Sequence, residues 1–134
     1  MKTRAIPTQP PQPATELGGP ALRAFFAIAE RWGLRVADQR RLLGEPPEST
    51  FYKWKRERDG SLGRDVLERI SYVLGIYKSL AILFPDAERA DAWVRRPNSA
   101  PAFGGRSALE RMLSGNVADL YVVREYLDAQ RGWN

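Results

Sequence analysis

The chain has 134 residues, 43% of them hydrophobic and 28% charged, with a formal net charge of +5 and neither cysteine nor histidine. That length holds one compact core or two small modules sharing one, and the composition is that of a folded chain. Without Cys or His there is no disulfide, no thiolate metal site and no histidine base, so no enzyme, metal or cofactor is expected. No apolar run approaches the ~20 residues that span a bilayer, and Met1-Lys2-Thr3-Arg4 leads into prolines instead of a hydrophobic signal segment. A cytoplasmic protein is the expectation.

The charge is uneven. Residues 1–34 carry +2, residues 35–64 carry +3 and residues 65–134 balance to zero, so a nucleic-acid partner should meet the first half of the chain. Five prolines in the first twenty residues, four of them (Pro7, Pro10, Pro11 and Pro13) before Pro20, make residues 1–19 read as a flexible arm. A helix is expected from Pro20, which suits a first turn, to Trp32, with Leu22, Phe25, Phe26, Ile28 and Ala29 on its apolar face and Gly33 as its stop. Val36 to Leu43 forms a second helix closed by Gly44, and Glu45-Pro46-Pro47 is a turn, because proline cannot continue a helix.

The third helix is expected to begin near Ser49 or Thr50. Steps of 100° put Phe51 and Trp54 on one side and Ser49, Tyr52, Lys53 and Arg56 on the other. An aromatic anchor on one face and a basic, hydroxyl-bearing row on the other, after a tight turn, is the layout of a helix-turn-helix reader. Ser49, Thr50 and Lys53 are the candidates for base contact, with Tyr52, Lys55 and Arg56 for phosphates.

Beyond the loop at Asp59-Gly60-Ser61-Leu62-Gly63, a fourth helix with Val66, Leu67, Ile70, Val73 and Leu74 buried is expected to stop at Gly75, giving a reader of residues 20–75. Residues 76–97 then read as a helical connector. Its first helix, Ile76 or Tyr77 to Phe84, is almost wholly apolar, and Ile76, Tyr77, Leu80, Leu83, Phe84 and Trp93 are the expected dimer interface. Asp86 caps a helix from Ala87 to Arg95 with Ala90 and Trp93 inward.

Residues 98–134 read as a turn followed by a helical hairpin. Ser107 with Glu110 is a capping box, Leu109, Met112 and Leu113 share one face, Gly115 closes that helix, and Asn116 is positioned to cap the last. The last helix carries Val117, Leu120, Tyr121, Val123, Tyr126 and Leu127, a girdle that asks for two neighbours. With no alternating strand pattern anywhere, the fold class is all-α, eight or so short helices.

Pro101-Ala102-Phe103-Gly104-Gly105-Arg106-Ser107-Ala108-Leu109, then Met112-Leu113-Ser114-Gly115 and Val123-Arg124-Glu125-Tyr126-Leu127-Asp128, resembles the toxin-binding domain of Xre/MbcA/ParS-type antitoxins. The likeness extends upstream through Leu67 to Lys78, Leu83-Phe84-Pro85-Asp86 and Trp93 to Asn98, and covers roughly residues 20 to 134. It implies a type II toxin-antitoxin system: an Xre/Cro-like helix-turn-helix domain joined to a C-terminal toxin-binding domain, and a homodimer that represses its own operon. The partner it implies is a RES-domain toxin that degrades NAD, neutralised by residues laid over its active site. The candidates here are Arg131 and Trp133, a cation and an aromatic plate suited to a nucleotide cleft, Arg106 and Arg124 for acidic groups on the toxin, and Asp128 and Asn134 beside them. Two other readings stand beside this one. A stand-alone regulator would keep the DNA reader and sense a ligand in its C-terminal domain, and a small enzyme would use Glu110, Asp119, Glu125 and Asp128.

Overall fold

A computed structural model of the chain describes residues 13–132 and shows seven helices and, among those residues, no strand beyond an isolated bridge between Pro97 and Ser107. The helices are α1 (Pro13–Arg31), α2 (Val36–Leu42), α3 (Glu48–Glu57), α4 (Arg64–Leu83), α5 (Ala87–Trp93), α6 (Ala108–Met112) and α7 (Val117–Gln130). The all-α expectation holds, with two departures in how the chain is cut.

The first departure is at the start. α1 begins at Pro13, not Pro20, so residues 13–19, expected to be arm, are helical and Pro20 lies inside the helix. Gly18 and Gly19 are buried beneath the loop after α3, and an ideal Cβ on Gly18 would stand 1.9 Å from the Gly60 carbonyl oxygen. A glycine pair that reads as a breaker is thus a close-approach site, where only hydrogen fits. Residues 1–12, with Lys2 and Arg4, lie outside the described residues.

The second departure is at Gly75. The expected stop is absent, and α4 runs unbroken from Arg64 to Leu83. Glycine within a helix costs about 1 kcal/mol relative to alanine, which packing easily outweighs: Val73, Ile76 and Leu80 continue the buried stripe across it at 1%, 0% and 1% exposure. The missing side chain has a use here too, because an ideal Cβ on Gly75 would fall 2.0 Å from Arg124 Nη1. Arg124 of α7 lies across α4 where α4 has no side chain.

α4 is the axis of the molecule, packed by α1, α5 and α7, while α6 packs on α7. A single apolar cluster joins both halves, from Leu22, Phe25 and Phe51 through Ile70, Ile76 and Leu80 to Met112, Leu120 and Leu127. Side chains this deeply buried contribute about 1.5–3 kcal/mol each relative to exposure. α7 has the two neighbours its girdle asked for, although Tyr121 points outward at 46% exposure.

Local signals behave as chemistry requires at two of the three expected caps. Asp86 Oδ1 accepts from the Glu88 amide at 3.1 Å. The Ser107 hydroxyl accepts from the Glu110 amide at 3.1 Å, and Glu110 Oε1 accepts from the Ser107 amide at 2.9 Å, completing the capping box. Asn116 occupies its N-cap position, but its side chain accepts no bond from the α7 backbone; the Asp119 amide donates to its carbonyl at 3.0 Å instead. Ser114 takes over the junction: its hydroxyl accepts from the Asn116 amide at 3.0 Å and donates to Asp119 Oδ2 at 2.6 Å.

Candidate nucleic-acid interface and C-terminal face

The α2–α3 unit is built from buried groups outward. Arg40 donates Nε and Nη2 to the Pro46 carbonyl at 3.2 and 2.8 Å, pinning the turn that precedes α3. Gln39 Nε2 donates to the Leu34 carbonyl at 2.9 Å, holding the start of α2. α3 enters from Pro47 and begins at Glu48, one residue before the expected Ser49. Phe51 (0%) and Trp54 (8%) anchor it, with the Phe51 ring 5.8 Å from Phe26 in an edge-on contact. That anchoring leaves Ser49, Tyr52, Lys53 and Arg56 exposed and Thr50 and Lys55 half-buried, as the helical spacing requires.

Charge pairing distinguishes these residues. Lys53 has no carboxylate partner among the described residues, whereas Arg56 bonds Glu57 at a long 3.5 Å. Lys55 Nζ stands 6.0 Å from the Phe51 ring centroid. Two further arginines shape this face and escape a spacing argument. Arg58 closes α3 in the left-handed conformation (φ 55°), donates Nε to the Lys55 carbonyl at 2.9 Å and lays its guanidinium 4.9 Å from the Phe26 ring centroid. Arg35, at the start of α2, is exposed and paired with Asp38 at 3.1 Å; that bond raises its pKa.

The C-terminal face is arranged the opposite way. Arg124 Nε bonds Asp128 Oδ2 at 3.2 Å, the buried Ser79 hydroxyl donates to Asp128 Oδ1 at 3.4 Å, and Arg131 Nη1 donates to Ser79 at 3.2 Å. Three candidates chosen for an external partner are therefore gathered on α4 around Ser79, which is 0% exposed. Arg106 is exposed at the end of a loop that folds back on itself: the Asn98 amide donates to the Arg106 carbonyl at 3.0 Å and the Gly105 amide to the Asn98 carbonyl at 2.8 Å. Phe103 anchors the loop, with its ring 5.0 Å from Tyr126 and 5.9 Å from Trp93. Trp133 and Asn134 lie outside the described residues.

Of the six residues expected at a dimer interface, Ile76 and Leu80 are core, at 0% and 1% exposure. A side chain with no surface cannot touch a second copy; their apolar character serves the packing of α4 inside the protomer. Tyr77, Leu83, Phe84 and Trp93 are half-buried, and Ile82 beside them is 52% exposed. Tyr77 and Phe84 line a shallow cleft of about 80 Å³ with Arg31, Ala81 and Asp91, well short of the roughly 300–1,000 Å³ of a small-molecule site.

The four carboxylates of the enzyme reading each have structural work. Glu110 completes the capping box, and Glu125 accepts from the Tyr121 hydroxyl at 2.9 Å. Asp128 holds Arg124, and Asp119 receives Ser114 and, at 2.9 Å, Arg111 Nε. The Ser114 hydroxyl and then Arg111 hold the Asp119 carboxyl below its usual range.

Comparison with known proteins matches the chain to two antitoxin domain families. Residues 12–75 match the Xre-like helix-turn-helix domain of antitoxins, and residues 79–132 match the C-terminal toxin-binding domain of Xre/MbcA/ParS antitoxins. The chain is also 57% identical, over 111 residues, to the uncharacterized protein y4oB of Sinorhizobium fredii; the match covers 83% of this chain and 84% of that protein.

Proposed function

We propose, from the premise that this chain belongs to the Xre/MbcA/ParS family of antitoxins, that it neutralises a RES-type NAD-degrading toxin and represses its own operon as a homodimer. A DNA-binding antitoxin is what the two family domains amount to; the toxin class, the mode of neutralisation and the dimer belong to the proposal.

The observation that carries the DNA half is α3 itself. Phe51 and Trp54 are sunk in the core, which turns the row Ser49, Tyr52, Lys53 and Arg56 to solvent immediately after a pinned turn. In this reading Ser49, Thr50 and Lys53 meet base edges, and Tyr52, Lys55 and Arg56 meet phosphates. One such helix reads too few base pairs alone, so two copies on paired half-sites are required. Tyr77, Ile82, Leu83, Phe84 and Trp93 offer the apolar surface for that pairing. Toxin contact falls to Arg106 and to the end of α7, where the Ser79 cluster fixes Arg131 near Trp133 and Asn134 in sequence.

Co-expression with the protein encoded beside this gene tests the reading. The full chain is expected to restore growth and to co-purify with that protein, and Trp133→Ala to weaken rescue. An innocuous neighbour that forms no complex would remove the toxin assignment. Light scattering is expected to give a dimer of the 15.2 kDa chain; a monomer at micromolar concentration would remove that part.

A further inference from the structure

The turn that presents α3 and the turn between α6 and α7 are cross-linked by two arginines. Arg41, at the end of α2, donates Nε to the Leu113 carbonyl at 3.0 Å and Nη1 to Glu45 Oε2 at 3.2 Å. Arg69, on α4, donates Nη2 to the Gly115 carbonyl at 3.2 Å and Nε to Asp65 at 3.0 Å. It also lies against the reading turn, since an ideal Cβ on Gly44 would stand 3.0 Å from its Nε. Arg41 therefore bonds Glu45 and Arg69 passes beside Gly44, and each guanidinium donates to one carbonyl of the segment 113–115.

Arginine suits this junction because its rigid fork can hold two acceptors at fixed directions, which a lysine ammonium cannot. The Arg69 side chain is only 12% exposed, so its bonds are sheltered from competing water. Glu45 sits in the left-handed region (φ 59°), where a side-chain-bearing residue stays only if its surroundings hold it. Its amide donates to the Arg40 carbonyl at 2.7 Å and its carboxylate accepts from Arg41, which the Leu113 carbonyl of the other half holds in turn.

We propose that Arg41 and Arg69 are positioning residues for DNA recognition: they seat the reading turn on the α6–α7 turn, so that the state of the toxin-binding domain sets how α3 is presented. The inference rests on the DNA-reading role of α3 given above. Neither arginine contacts DNA in this account; both act through the turn, and the coupling runs in both directions.

The test uses the full chain and a DNA fragment from immediately upstream of its gene, titrated between 50 and 200 mM salt. The Arg41→Lys/Arg69→Lys variant keeps both charges and is expected to bind roughly fivefold more weakly, with an unchanged salt slope. Arg69→Gln removes a charge and is expected to weaken binding similarly, again without changing the slope; a fall of about 0.9 would mark a direct phosphate contact and overturn the positioning role. Gly115→Ala strains the distant turn, whose φ is +94°, from the toxin-binding side and is expected to weaken DNA binding too. The wild-type chain supplies a readout independent of folding defects: bound DNA should slow hydrogen exchange at the amides of residues 114–117. Unchanged exchange there, or variants that bind as the wild type does, would sink the proposal and leave the DNA reader standing. A wild-type chain that binds neither this fragment nor scrambled DNA would remove the reader and the proposal together.

Discussion

The α2–α3 and α6–α7 units are both helical hairpins, yet they treat the charges of their second helices in opposite ways. On α3 the buried aromatics push the polar row outward, and Lys53 has no carboxylate partner among the described residues. On α7 the polar row folds inward, with Arg124, Asp128 and Arg131 gathered on Ser79 of α4. Sequence charge alone does not mark a contact surface; availability does. A cation already holding a carboxylate must give up that bond before it can serve a partner, whereas Lys53 gives up only water.

The strongest way to break the comparison is to remove the anchor that sets α3 outward. Phe51→Ala is expected to destabilise by about 3–5 kcal/mol and to abolish DNA binding with the loss of the reading unit, seen in thermal melts followed by circular dichroism. Tyr52→Ala, one position on but 47% exposed, should change stability by no more than about 0.5 kcal/mol. Similar losses from the two substitutions would mean the helix is not seated as described.

A reciprocal pair comes next. Lys55→Ala is expected to move the melting temperature little and to lower the salt slope of DNA binding by about 0.9. Arg124→Ala is expected to do the reverse, leaving the slope intact while costing up to about 1 kcal/mol of stability. A smaller effect concerns acid. The Ser114 hydroxyl and Arg111 hold the folded-state pKa of Asp119 below the ordinary aspartate value, so its contribution is present above that ordinary value and is lost as pH falls through the lower folded one. Asp119→Asn should therefore flatten the decline of the melting temperature below about pH 4.

The finest discrimination is at Gly75. Alone, Gly75→Ala drives its methyl into Arg124 and should offset the helix gain; with Arg124→Ala present, the same substitution should stabilise by about 0.5–1 kcal/mol. A double-mutant cycle measures this, and an equal effect in both backgrounds would deny that Arg124 lies over Gly75.

Much of this was legible from residue order because it depends on neighbours a few positions apart. The 3.6-residue period alone placed Phe51 and Trp54 inside and Tyr52 and Lys53 outside, and Ser107 with Glu110 announced a capping box that forms. Where a local signal competed with a distant contact, the distant contact decided. Gly75 read as a stop but is the slot for Arg124, forty-nine residues away in the chain. Gly18 read as part of a loose arm but is the floor beneath Gly60.

Helix positions, helix faces and the basic bias of the first half follow from the order of residues, since periodicity, capping and charge are properties of short segments. The destination of each long polar side chain was decided by the tertiary structure. Arg41 and Arg69 could have faced solvent, DNA or a toxin; they hold the Leu113 and Gly115 carbonyls because packing α7 and α6 around α4 brings those carbonyls within reach. A flexible cation takes whichever acceptor the fold delivers, and only the assembled core determines which one that is.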